Sequence, residues 1–179
     1  MAKVLLVYFS RSGTTQKLAQ WIAHETGWDL DPIVEDQDRR GLRGYMRSAR
    51  DSWNEHRVEV AAPKKDPSDY ELVVIGTPVW VAGVSSPVRS YLLDHAEVLR
   101  RVAFFATMGG RGSKRAFRQM EQLARKQPLA TLAVTESQVA RGAYRAPMER
   151  FIAQLSDVLA GYGAPVDTAS PPQLHRYPA

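Results

Sequence analysis

Short apolar runs alternate along the chain with longer segments whose apolar residues recur at helical spacing. The short runs are rich in Val, Leu, Ile and Phe and lie between polar turn residues, a pattern typical of strands buried in a parallel sheet. We predict such strands at residues 3–9, 28–34, 70–76, 101–107 and 129–135. The second run alternates in polarity and contains Pro32, so we expect it nearer the edge of the sheet.

Helices are predicted between and after the strands. They cover residues 14–25, 42–53, 88–96, 113–126 and 145–163. Gly27 is expected to end the first helix, and Gly161 or Gly163 the last. Strict alternation of strands and helices predicts the α/β class, with a parallel sheet between two layers of helices. We predict one domain over residues 1–164 and a tail over residues 165–179, rich in Pro and Ala, that is partly disordered.

Three loops follow the carboxyl ends of predicted strands, where ligands bind in sheets of this kind. They are SRSGTTQ at residues 10–16, TPVWVAG within a long loop over residues 77–87, and TMGGRG at residues 107–112. Their unusual composition makes this edge of the sheet the predicted binding site.

The first of these loops has the composition of a phosphate site. Four of its seven residues carry hydroxyls, and it leads into the amino terminus of a helix, which attracts anions. Gly13 would allow close approach of the backbone. A simpler interpretation is that Ser12 or Thr14 only caps the helix. The loop matches neither GxxxxGK[ST] nor GxGxxG, so a single phosphate monoester is favoured over a pyrophosphate or triphosphate.

Composition excludes several kinds of chemistry. The chain has no cysteine, which removes disulfides, thiol catalysis and iron–sulfur clusters, and its four histidines are not at metal-ligand spacing. The formal net charge is +5 among 179 residues, yet no nucleic-acid-reading motif is present. No apolar run approaches the length of a membrane span and no targeting segment is visible, so we expect a cytoplasmic protein.

The stretch SRSGTTQKLAQWIA is similar to the phosphate-binding loop and first helix of the flavodoxin-like family, whose pattern is roughly [ST]-x-[ST]-G-x-[ST]. The resemblance extends to VVIGTPVWVAGVSSPVRSYL and VAFFATMGGRGSKRAFRQM and covers most of residues 3–160, with residues 35–68 the weakest part. It implies a sheet of strand order 2-1-3-4-5 and electron transfer through FMN held without a covalent bond.

The resemblance also implies which residues bind the FMN. The phosphate would be held by Ser10, Arg11, Ser12, Gly13, Thr14 and Thr15. One side of the flavin would be wrapped by Thr77, Pro78, Val79, Trp80, Val81, Ala82 and Gly83. Thr107, Met108, Gly109, Gly110, Arg111 and Gly112 would lie by its other side. Trp80 offers the flat apolar contact that a flavin needs, or else it is a core residue wedged under its loop.

Two features depart from the family pattern. Electron-carrier flavodoxins are usually acidic, whereas this chain has a pI of about 9.6, so less negative charge opposes the anionic reduced flavin. The third loop has no aromatic residue to stack on the outer face of the ring, which would leave the ring open to a second molecule.

Three functions remain open from the sequence. The first is an electron carrier that serves a redox partner protein, and the second is an NAD(P)H-dependent quinone-type reductase. The third is a flavin-free module that binds a partner protein on the same fold. No catalytic residue is predicted, because the flavin itself does the chemistry in the first two. Both a monomer and a homodimer are compatible with the sequence.

Two polar clusters have alternative interpretations. Tyr45, Arg47, Arg50 and Trp53 are at helical spacing and either bind an acidic partner or form a solvated helix face. Arg141, Tyr144 and Arg145 follow the fifth strand and either gate the flavin, meet a nicotinamide phosphate, or are ordinary loop residues.

Overall fold

The computed structural model describes residues 2–35, 57–80 and 83–163. The predicted helix at 42–53 and the tail at 165–179 lie outside them. The strands are β1 Val4–Tyr8, β2 Asp29–Pro32, β3 Leu72–Trp80, β4 Gly83–Val84, β5 Val102–Met108 and β6 Pro128–Thr135. The helices are α1 Thr14–Thr26, α2 Ser86–His95, α3 Ser113–Ala124, α4 Glu136–Ala140 and α5 Arg145–Gly163, and a 3-10 turn covers Pro67–Asp69.

The sheet has the predicted parallel architecture with one addition. Five strands pair in parallel in the order β2-β1-β3-β5-β6, which is the expected order 2-1-3-4-5 of the five predicted strands. The two-residue strand β4 was not expected, and it pairs antiparallel with the end of β3. Strand β2 lies at the edge, as its alternating pattern and Pro32 predicted.

Helices cover both faces of the sheet, so the α/β class is confirmed. Alternate residues of β1 point to opposite faces, as strand geometry requires. Leu6 packs in a core with residues of α1 and α5, whereas Val7 packs in a second core with residues of α2 and α3. The central strands are therefore buried on both sides, which explains their nearly continuous apolar sequence.

The prediction of a long loop at residues 77–87 is wrong for most of that range. Strand β3 continues to Trp80, and Val79 pairs with Val84 to form a hairpin whose strands are joined by residues 81 and 82. The β-branched residues Thr77 and Val79 favour this extended backbone. Helix α2 then begins at Ser86, two residues before its predicted start, with Pro87 in its first turn, where proline is favoured.

Helix α4 was missed by the sequence analysis, although a signal for it is present. The Thr135 hydroxyl accepts from the Gln138 backbone N–H, and the Gln138 side chain accepts from the Thr135 backbone N–H. This capping box is written in the sequence as TESQ. At the end of α1, Gly27 adopts a left-handed conformation with a φ of 70°, so its predicted role as a stop is confirmed.

Gly76 leaves room for an aromatic ring in the centre of the sheet. A Cβ atom at this position would overlap the aromatic ring of Phe105, which is fully buried on the neighbouring strand. The ring can therefore lie against β3 only because residue 76 has no side chain.

We expect Gly76→Ala to lower the free energy of unfolding by about 1–3 kcal/mol, because Phe105 must shift within a close-packed core. Urea unfolding followed by circular dichroism measures the change. Gly161→Ala is the matched control, since a Cβ there meets nothing within 4 Å and the position is helical. Equal stability of the Gly76 variant and the wild type would contradict this account of the packing.

Candidate functional site

Strands β1, β3 and β5 bring three loops to one edge of the sheet. The parallel register pairs Tyr8 with Gly76, and Pro78 with Thr107. The loops that follow β1 and β5, and the hairpin that extends β3, are thus adjacent at the carboxyl ends. This is the predicted position of the binding site.

The first loop leaves open space beside the amino terminus of α1, which a ligand could approach closely. Gly13 occupies the position before the helix with a φ of 87°, and a Cβ there would meet nothing within 4 Å. No side chain caps the helix, so the interpretation of Ser12 or Thr14 as a simple cap is wrong. The backbone N–H groups of the first helical turn have no partner within the helix. They and the helix dipole favour an anion here.

Three of the four hydroxyls of this loop make hydrogen bonds within the loop itself. Ser10 accepts a hydrogen bond from the Gly13 N–H at 3.1 Å, so it shapes the loop. Ser12 and Thr14 share a hydrogen bond of 3.3 Å at the surface. One hydroxyl hydrogen of that pair remains available for another acceptor.

Thr15 joins the first loop to the third. Its hydroxyl lies 2.8 Å from that of Thr107, and both residues are almost fully buried. Thr15 was expected to hold a phosphate, but its side chain points into the protein. Any contribution from Thr15 to anion binding would come from its backbone N–H.

The second loop is a hairpin held by buried polar contacts. The Thr77 hydroxyl accepts from the Ser85 N–H at 3.2 Å and lies 3.0 Å from the Ser85 hydroxyl. From α3, the Gln119 side-chain oxygen accepts from the Val84 N–H at 3.0 Å. Ser85 and Gln119 were not among the predicted site residues, because neither has a sequence signal of its own.

Trp80 stands at the end of β3 beside the first loop. Its ring packs at 88° to that of Phe9, with centroids 5.5 Å apart. It is half-buried against the core that α2 and α3 cover, so part of its surface packs in the protein and part stays exposed. Gly83 is buried in β4, Pro78 and Val79 are half-buried, and Val81 and Ala82 lie outside the described residues.

The third loop leaves its glycines open. Gly109, Gly110 and Arg111 are exposed, Met108 is half-buried, and a Cβ at either of those two glycines would meet nothing within 4 Å. Of the glycines in this loop, only Gly112 has a positive φ, of 108°, at the start of α3. The open space at Gly109 and Gly110 leaves room for a ligand to approach the backbone.

Burial shifts the pKa of two titratable groups near the first loop. Burial raises the pKa of Glu35, while the positive charge of Arg11 acts in the opposite direction. Burial also raises the pKa of Tyr8, which keeps its phenol neutral. Arg11 itself is exposed, so its charge lies at the mouth of the loop.

Tyr144 does not belong to the site. It is buried in the core, and its ring packs at 90° to that of Trp21, so the proposal that it gates a ligand is wrong. Arg141 and Arg145 are exposed. The cluster of Tyr45, Arg47, Arg50 and Trp53 lies outside the described residues.

The described part of the chain contains neither a membrane-spanning helix nor a cluster of metal-ligating side chains. Within residues 2–35, 57–80 and 83–163, no helix is long and apolar enough to cross a membrane. The same residues contain no group of three or more His, Asp or Glu side chains placed to hold a metal ion.

One family model and several solved structures are similar to this chain. The family model for flavodoxin matches residues 3–144. A flavoprotein from Lactobacillus acidophilus NCFM, crystallised in complex with FMN, has a similar fold with a TM-score of 0.64 and 24% identity, over 79% of this chain and 98% of that one. A candidate flavoprotein from Bacteroides eggerthii DSM 20697 has a TM-score of 0.63 and 22% sequence identity, over 83% of this chain and 97% of that one. A search of curated proteins found no match.

We expect a double-mutant cycle to reveal coupling between Thr15 and Thr107. Thr15→Val or Thr107→Val alone leaves one buried hydroxyl without its partner and should cost about 1–3 kcal/mol of unfolding free energy. The double variant should cost clearly less than the sum of the two, because no orphaned hydroxyl remains. Chemical denaturation of the four proteins measures the coupling, and additive effects would show that the hydroxyl pair contributes nothing.

Proposed function

The chain belongs to the flavodoxin family, and on that premise we propose that it binds FMN without a covalent bond and transfers electrons through the flavin. The observation that carries this proposal is the meeting of three loops at one sheet edge. The first offers an uncapped helix terminus, the second a half-buried indole ring, and the third an exposed glycine backbone.

The first loop fits a phosphate monoester. The space beside Gly13 would admit the ligand, and the hydroxyl of the Ser12–Thr14 pair whose hydrogen remains available would donate to it. The backbone N–H groups at the start of α1 would supply further donors, and the helix dipole and Arg11 would supply positive charge. Ser10 and Thr15 would support this arrangement from within the protein, through Gly13 and Thr107.

The second and third loops fit the two sides of a flat ring system. The Trp80 ring packs edge-to-face with Phe9 and would offer an aromatic contact on one side of the flavin. The backbone at Gly109 and Gly110 is unobstructed and would offer N–H and C=O groups to the ring edge. When bound, FMN supplies the capacity to accept and release electrons, and the chain supplies orientation and electrostatics.

A second candidate function is an NAD(P)H-dependent reductase that acts on a quinone or a similar acceptor. The open third loop favours it, because exposed Gly109 and Gly110 leave no side chain that would cover the outer face of the flavin. Such a face would admit a nicotinamide or a quinone ring.

Titration with FMN and riboflavin tests the proposed function. Wild-type protein should quench FMN fluorescence saturably and shift its visible spectrum. Ser12→Glu should raise the Kd for FMN at least about tenfold, which is about 1.4 kcal/mol, because its carboxylate repels the phosphate. Riboflavin lacks the phosphate, so its Kd should change little.

Gln20→Glu is the matched control for this titration, since it places the same charge on an exposed position of α1 away from the loop. It should bind FMN as the wild type does. Failure of wild-type protein to bind FMN at about 100 μM would remove the redox function and leave a partner-binding module on the same fold.

Steady-state turnover separates the carrier from the reductase. For a carrier, we expect FMN-loaded protein mixed with NADH or NADPH and a soluble quinone to show no sustained nicotinamide oxidation. The decay of absorbance at 340 nm measures the rate, with free FMN at the same concentration as the control. Sustained turnover above that control, without any partner protein, would identify a reductase.

A further inference from the structure

A basic patch lies beside the third loop, on the first half of α3. It consists of Arg111, Lys114, Arg115 and Arg118, all of which are exposed. None of the four forms an ion pair with the residues that the structure describes. The other end of the helix differs, because Arg125, directly after its last residue, pairs with Glu97, and Glu121 lies one turn before Arg125.

The arrangement of the patch works against the stability of the helix. No acidic residue occupies the first turn of α3, where the helix dipole favours negative charge. Instead Lys114 and Arg118 are four residues apart, and Arg115 and Arg118 are three apart, so like charges face each other on the helix surface. A local arrangement that costs stability without a compensating contact is characteristic of a functional surface.

The location of the patch connects it to the binding site. Arg111 belongs to the third loop, directly after the exposed Gly109 and Gly110, and the other three residues continue from it along the outer surface of α3. Any molecule that the patch attracts is thereby brought to the loop beside which the flavin edge would lie.

We propose that this basic patch docks an acidic electron-transfer protein, a proposal that rests on the FMN-binding function. The cations are spread along the exposed surface of the helix, whereas sites for small molecules are concave. Arg118 lines an open recess towards the far end of α3, but the other three cations do not. Exposed complementary charges mainly accelerate and orient the encounter between two proteins. With an acidic one-electron donor, two donor molecules each lose one electron. The oxidised flavin gains both electrons and one proton from solvent, which gives the anionic reduced flavin.

Electron transfer from an acidic [2Fe–2S] ferredoxin tests the proposal. The ferredoxin is reduced photochemically and mixed with FMN-loaded protein in a stopped-flow instrument at about 20 and about 300 mM salt. For wild type, we expect the second-order rate constant to fall at least about tenfold at the higher salt, because the charges are screened.

The variant Lys114→Glu/Arg115→Glu reverses two charges in the patch and leaves Arg111 untouched. Its rate at low salt should fall at least about tenfold. Its Kd for FMN should not change, and its Tm should not decrease, because glutamates in the first turn favour the helix dipole. The control Lys64→Glu/Arg150→Glu makes the same change in net charge at exposed positions away from α3 and should react nearly as fast as the wild type.

Three outcomes would overturn the proposal. These are a rate that does not depend on salt, an unchanged rate in the patch variant, and an equal loss in the control variant, which would show an effect of net charge alone. Loss of NADPH-driven reduction with an unchanged ferredoxin rate would assign the patch to a dinucleotide phosphate instead.

Calorimetry separates this proposal from the function on which it rests. Oxidised ferredoxin is titrated into protein with and without FMN. Salt-sensitive binding that the patch variant loses supports the docking surface even if the protein takes up no FMN. Normal uptake of FMN with no such binding would overturn the docking surface alone.

Discussion

The register of the three central strands is the constraint on which the site depends. Because β1, β3 and β5 are buried on both faces, a slip of one residue would exchange the two cores, so the register is strongly determined. Phe105 fixes it further, since its ring fits only over Gly76 on the neighbouring strand. With that register, the loops after β1 and β5 and the hairpin of β3 necessarily meet at one edge.

Buried hydroxyls and one amide then set the loops relative to one another. The hydrogen bond between Thr15 and Thr107 ties the start of α1 to the end of β5. Gln119 does the same between α3 and the hairpin, through the Val84 N–H. The Thr15–Thr107 contact is buried and the Gln119–Val84 contact partly buried, so losing one partner of either leaves a poorly solvated polar group and is costly. The relative positions of the three loops are thus maintained by hydrogen bonds within the protein and do not require a ligand.

Local patterns predicted most of the elements, and tertiary contacts account for the hairpin and the buried side chains that were missed. Continuous runs of Val, Leu and Ile marked the parallel strands, and Gly27 marked the end of α1. The hairpin was missed because Pro78 and Gly83 are residues typical of loops. The pairing of β3 with β4 is seen only in three dimensions. Thr15 and Thr107 are separated by 92 positions, and no local pattern joins them. Tyr144 follows a short helix and carries no sign that it is buried.

The hairpin, which is the second loop of the candidate site, affects the conformational entropy that ligand binding would cost. A loop that orders only when a ligand arrives loses conformational entropy at that moment, and the loss is subtracted from affinity. Here the backbone on both sides of residues 81 and 82 is already paired as β3 and β4, and Trp80 is already packed against Phe9. Most of that entropy is therefore lost during folding. A ligand at this edge of the sheet would contact surfaces that are already in position.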